Sequence, residues 1–214
     1  IVEEGSLPPL IAMLNSVKAS LQLQAVGVLR NLSVKMENKL TVVQEGALPP
    51  LVRLLESPEE EVQLQVSVVL RNLAVNASNK VKMVQAGVLS PLLKLLRSPN
   101  VRVQEQACAC VQNLSVNNDN KLKLIEEGGI RALVSLLTVQ ARPASLPCAC
   151  HAISHCVGLA SSVHEPLLSL RTSALRSWPR MVLPESGRGL RAQRDERCAL
   201  TVCVGCVCVR LCRI

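Results

Sequence analysis

Residues 45–55 read EGALPPLVRLL and residues 69–75 read VLRNLAV, and both phrases return along the chain at one fixed interval. The first recurs as EGSLPPLIAML at 4–14, AGVLSPLLKLL at 86–96 and EGGIRALVSLL at 127–137. The second recurs as VLRNLSV at 28–34 and VQNLSV at 111–116. Gly5, Gly46, Gly87 and Gly128 are each 41 residues apart, as are Asn31, Asn72 and Asn113, and Lys39, Lys80 and Lys121. Ungapped self-similarity at such a period marks a stacked repeat, in which each unit buries its apolar face only against its neighbours.

Each unit reads as three helices. A first helix runs over about Lys39 to Glu45 and stops at Gly46, where a left-handed C-terminal turn costs a glycine little. A second runs over about Pro49 to Glu56, with proline in the first turn, where a missing N–H does no harm. The third follows a Ser-Pro start, Ser57-Pro58 and Ser98-Pro99, with serine expected to cap the free N–H groups. Third helices are predicted near 19–34, 60–75 and 101–116. Their stripe in the middle unit is Val62, Val66, Val69, Leu70 and Leu73. Its equivalents are Leu21, Ala25, Val28, Leu29 and Leu32, and Val103, Ala107, Cys110, Val111 and Leu114. That spacing buries one helix face. The predicted class is all-α, a right-handed α-α superhelix with an irregular C-terminal tail.

This chain resembles the armadillo-repeat family over residues 1–137. The marks are the period, the glycine between first and second helices, and the R-N-L-S/A ending of the third. The phrase NLAVN-x-x-NK is similar to the vacuolar-adaptor and plant U-box-associated branches. The chain departs from the importin-α branch, whose third helix carries Trp four residues before the Asn; here those positions are Gly27, Val68 and Ala109. The units are a partial one (1–37), two full ones (38–78 and 79–119) and a partial one (120–137).

Composition changes abruptly near Leu137. Residues 1–137 hold 14 basic and 12 acidic residues, a net of +2, and residues 138–214 hold 10 and 4, a net of +6. All Lys precede residue 138, whereas all three His and eight of the ten Cys follow it. The tail ends in a Val-Cys alternation, V-C-V-G-C-V-C-V at 202–209, the product expected of a translated TG dinucleotide run. Residues 138–214 are therefore expected to be mistranslated or disordered. Cys148, Cys150, His151, His155 and Cys156 are metal-ligand types, as are Cys203 and Cys206. A structural zinc site takes paired ligand sets, and a lone C-x-x-C is not one. A Cys156–His151 nucleophile pair lacks an orienting third group. No cofactor, metal or catalytic residue is expected, and the repeats contain no His at all.

The first residue is Ile1 and no secretory leader follows it. The longest apolar run, Cys198 to Val209, is 12 residues, short of the ~20 that span a bilayer. Cys108 and Cys110 lie two apart on a helix and point in different directions. These features predict no membrane insertion and a protein of the cytoplasm, with the nucleus as a second location. The small net charge of the repeats and their lack of aromatic residues argue against nucleic acid.

The predicted ligand is an extended protein or peptide segment in the concave groove, with the oligomeric state left open. Asn72 lies at the polar flank of the stripe, Gln65 two turns before it and Asn76 one turn after. The same row is Gln24, Asn31 and Lys35 in the first unit and Gln106, Asn113 and Asn117 in the third. An Asn amide carries both donor and acceptor, matching a peptide unit. Family members use this Asn to hold an extended backbone, which the resemblance implies for Asn31, Asn72 and Asn113. Helices packed 8–10 Å apart and a chain advancing about 3.3 Å per residue give two or three ligand residues per repeat. The alternative is that these amides satisfy backbone groups within the stack. A structural role is expected for the opposite ladder, Gln22, Gln63 and Gln104. Arg30, Arg71 and Lys35 favour acidic groups in a ligand; Arg30 and Arg71 project away from the stripe, and the alternative for them is a merely solvated role. The function expected is a protein-interaction scaffold without enzymatic activity. A second reading makes the chain a fragment of a larger protein, such as a U-box ubiquitin ligase, whose repeats recruit substrate.

Overall fold

Glycine, proline and asparagine divide each period into a short helix, a second short helix and a long one. The computed structural model describes residues 5–139 and, further along, Ala152 and Ile153. These all belong to one compact unit, residues 1–159. The described residues form ten helices and no strand. They are α1 (Leu7–Leu14), α2 (Ala19–Leu32), α3 (Met36–Gln44), α4 (Leu48–Leu54), α5 (Glu60–Leu73), α6 (Ala77–Gln85), α7 (Leu89–Leu95), α8 (Val101–Leu114), α9 (Asn118–Glu126) and α10 (Gly129–Val139). The third helices α2, α5 and α8 each start where the period predicts and end two residues early. Gly46 and Gly87 take φ of 83° and 80°, the left-handed turn their position required,.

The third helices stack side by side, α2 on α5 and α5 on α8, and each is backed by its second helix. The stripe is the seam: Val66, Val69, Leu70 and Leu73 are fully buried, as are Ala107, Cys110, Val111 and Leu114. The first unit is less covered: Leu21 and Leu32 are half-buried, and Val28 is 41% exposed where Val69 and Cys110 are 0%. The described residues place no third helix on its side. Cys108 and Cys110 are both buried and free. Burial pushes the Cys110 thiol up to about 12, against a smaller opposing pull from Arg71. Iodoacetamide treatment of the folded chain should therefore leave both unlabelled in a peptide map, and labelling at Cys110 before denaturation would contradict this packing.

Two details differ from the sequence reading. Serine does not cap the third helices. Ser57 and Ser98 accept instead from the N–H of Glu59 and Asn100, both at 3.2 Å. The N-cap positions are Glu59 and Asn100, and Asn100 accepts from the N–H of Arg102 and Val103. The intervening proline keeps the serine out of helical conformation and two residues before the N-cap,. Second, Asn38, Asn79 and Asn120 stitch successive units together. Asn79 Nδ2 donates to Lys39 O (2.9 Å) and Leu73 O (3.3 Å), and Asn120 repeats this on Lys80 O (3.0 Å) and Leu114 O (3.3 Å). Both are buried. Lys39 is buried too, its ammonium donating to the carbonyls of Ser33 (2.5 Å) and Val34 (3.2 Å) at the negative end of α2,.

The fourth unit contributes α9 and α10, whose Ala132, Leu133 and Leu136 are buried. Ala152 and Ile153 are helical and buried as well, so the core does not stop at Leu137. Ala152 stands 41 residues after Val111 of the stripe. The rest of the tail, with its Cys and His residues, lies outside the described residues.

Candidate functional site

Two glutamine–asparagine ladders mark opposite sides of each third helix. Gln22 Nε2 donates to Ser16 O (2.6 Å), Gln63 to Ser57 O (2.7 Å) and Gln104 to Leu96 O (2.9 Å). These bonds tie down the end of each second helix, the structural role expected of that row. Asn31, Asn72 and Asn113 follow those glutamines by nine residues, which at 100° per residue is half a turn. They therefore occupy the side of the stack turned away from α1, α4 and α7.

On that side the asparagine amides lean on the preceding unit. Asn72 Nδ2 donates to Ser33 Oγ at 3.1 Å, and Asn113 Nδ2 donates to Arg71 O at 3.2 Å. Asn31 is exposed. A primary amide has two N–H donors and a carbonyl. One bond to the stack holds its plane and leaves an acceptor and a donor over. Structural and ligand-holding roles are thus compatible in one side chain. Gly27, Val68 and Ala109 lie one turn before these asparagines and are half-buried. A methyl group added at Gly27 would meet nothing within 4 Å. The floor of this face is open where a bulky side chain would close it.

The remaining predicted residues are engaged differently. The third helices end before Asn76 and Asn117, which become N-caps: Asn76 Oδ1 accepts from Asn79 N–H (3.2 Å) and Asn117 Oδ1 from Asn120 N–H (3.1 Å). Lys35 holds the corresponding position before α3, exposed and without a capping bond. Gln65 Oε1 accepts from Arg30 Nη1 at 2.9 Å, while its Nε2 donates to Glu61 Oε1 at 2.6 Å. Gln106 Oε1 accepts from Arg71 Nη1 at 2.6 Å. Arg30 and Arg71 are therefore not merely solvated: each reaches across to the next repeat. Projecting away from the stripe is what lets a long side chain span the gap between third helices. Beside this row a file of valines, Val34, Val75 and Val116, stays exposed. Among the described residues no cluster of His, Cys, Asp or Glu is placed to hold a metal ion, and no helix is long and apolar enough to cross a membrane.

The profile of the armadillo/beta-catenin-like repeat matches residues 1–34, 35–75 and 76–116. The chain belongs to the armadillo-repeat family. No curated protein matches it. Among solved structures, this armadillo chain is similar to a computationally designed armadillo repeat protein for modular peptide recognition, at 32% identity and a TM-score of 0.73. That likeness covers 81% of this chain and 72% of the other. A second designed armadillo repeat protein, in complex with the peptide (KR)4, matches at 32% identity and a TM-score of 0.68, over 72% of this chain and 65% of its own. An engineered protein matches at 27% identity and a TM-score of 0.70; the armadillo chain covers 65% of its length.

Proposed function

We propose that this chain is a protein-interaction scaffold that holds an extended segment of a partner across α2, α5 and α8. The observation that carries the reading is the repeated asparagine at 31, 72 and 113, oriented by one bond to the stack at Asn72 and Asn113. The likeness to designed armadillo proteins made for peptide recognition supports it. Binding here needs only fixed hydrogen-bonding groups over an open floor, so the scaffold acts without catalysis. The two free buried thiols fit a cytoplasmic home. The shared phrase NLAVN-x-x-NK points to the vacuolar-adaptor and U-box-associated branches, so substrate recruitment in a ubiquitin ligase is the second reading.

Selection of a displayed random-peptide library on the full chain tests the proposal. Peptides should be enriched on the natural chain and lost on the triple variant Asn31→Ala, Asn72→Ala, Asn113→Ala. Equal recovery on both proteins would contradict it.

A further inference from the structure

The amide ladder reads backbone and so cannot choose among ligands, but the bridges beside it are charged. Arg71 is half-buried at the junction of α5 and α8. Its Nη1 donates to Gln106 Oε1 at 2.6 Å, and its own carbonyl receives Asn113 Nδ2 at 3.2 Å. The bond to Gln106 places the guanidinium against α8. A guanidinium has five N–H donors in a rigid fork. Gln106 takes one and fixes the plane, leaving a fork matched in geometry to a carboxylate.

We propose that this crevice is a subsite for an acidic side chain, so that the bound segment carries Glu or Asp where it crosses from α5 to α8. This rests on the peptide-binding reading and adds the chemistry of the ligand. The surroundings support the sign. Arg102 lies one turn before Gln106 on α8, adding a second cation on the same helix row,. Glu105 projects 100° from Gln106, on the side away from α5. The equivalent crevice between α2 and α5 has the same bridge, Arg30 to Gln65 at 2.9 Å. There Glu61 replaces Arg102 and accepts from Gln65 at 2.6 Å, so a carboxylate of the protein already offsets the cation. In the third unit Gln112 stands where Arg30 and Arg71 stand. The groove thus has one strong acidic subsite, at Arg71, and one weakened one, at Arg30.

Titration of the full chain with fluorescent octapeptides (DE)4, (QN)4 and (KR)4 tests this. The acidic peptide should bind tightest. Arg71→Gln should weaken it about tenfold or more, the scale of losing a charge-assisted bond. Arg30→Gln should weaken it less, and Glu61→Gln should strengthen it, a gain that misfolding cannot produce. Unchanged (DE)4 binding by Arg71→Gln would overturn the inference by assigning the attraction to the basic tail. Tighter binding of (KR)4 would overturn it too. If any of these peptides binds with sensitivity to Asn72→Ala, the groove reading stands while this inference falls. If none binds, both fall.

Discussion

Replacing Asn79 with Ala should destabilise the repeat array by about 1–3 kcal/mol and leave peptide affinity of the folded protein unchanged. Asn79 is fully buried, and its Nδ2 serves two carbonyls at opposite ends of the preceding unit, Lys39 O and Leu73 O. Alanine keeps the helix propensity of α6 but removes both bonds, and Leu73 O keeps the N–H of Asn76 (3.2 Å) as a partner,. Each lost bond costs about 0.5–1.5 kcal/mol net. Because Lys39 O lies in the preceding unit, the loss falls on the junction that makes stacking cooperative. Urea titration followed by circular dichroism measures it. A shift in midpoint equivalent to less than about 0.5 kcal/mol, the ordinary range of a surface substitution, would show that the junction does not depend on this amide.

Replacing Asn72 with Ala should act in the opposite proportion. Its one bond to the stack, to Ser33 Oγ, is partly exposed and neutral, so folding should lose only about 0.5–1.5 kcal/mol. The ligand loses an acceptor and a donor in a partly dried groove, and affinity should fall by about 1–3 kcal/mol. If the side chain serves the stack alone, melting temperature and binding should fall together, with binding tracking the folded fraction. Calorimetric titration with a selected peptide, beside a thermal melt of the same samples, separates these cases.

The architecture was legible because helix-forming stripes, glycine turns and prolines repeat at one interval, so three independent copies report each boundary. Exposure of Val28 could not be read from its repeat position, which is buried in both later units; it depends on what covers one end of the stack. Site residues were harder. Asn31, Asn72 and Asn113 were visible as a flank of the stripe, but Asn38, Asn79 and Asn120 repeat just as faithfully. Burial separates Asn79 and Asn120 from Asn72 and Asn113, while Asn38 is half-buried like the latter pair; a repeated amide is required equally by a ligand and by a neighbouring carbonyl. Asn76 and Asn117 showed a capping signal in the sequence, an asparagine opening a helix, with Asn79 and Asn120 three residues on. Reading the third helix two residues too long assigned them to the groove row instead. The Arg30–Gln65 and Arg71–Gln106 bridges join residues 35 apart, six short of the period. Comparing equivalent positions between units does not reveal such a pair.

The side-chain amide resonances of a nitrogen-15-labelled chain test the central claim most directly. On titration with a library-selected peptide, the NH2 pairs of Asn31, Asn72 and Asn113 should shift and saturate together, because the ligand backbone bonds to them. Those of Asn79 and Asn120, buried at the unit junctions, should stay in place. Saturable binding that leaves Asn72 and Asn113 unmoved would contradict the account and place the partner on another face of the stack.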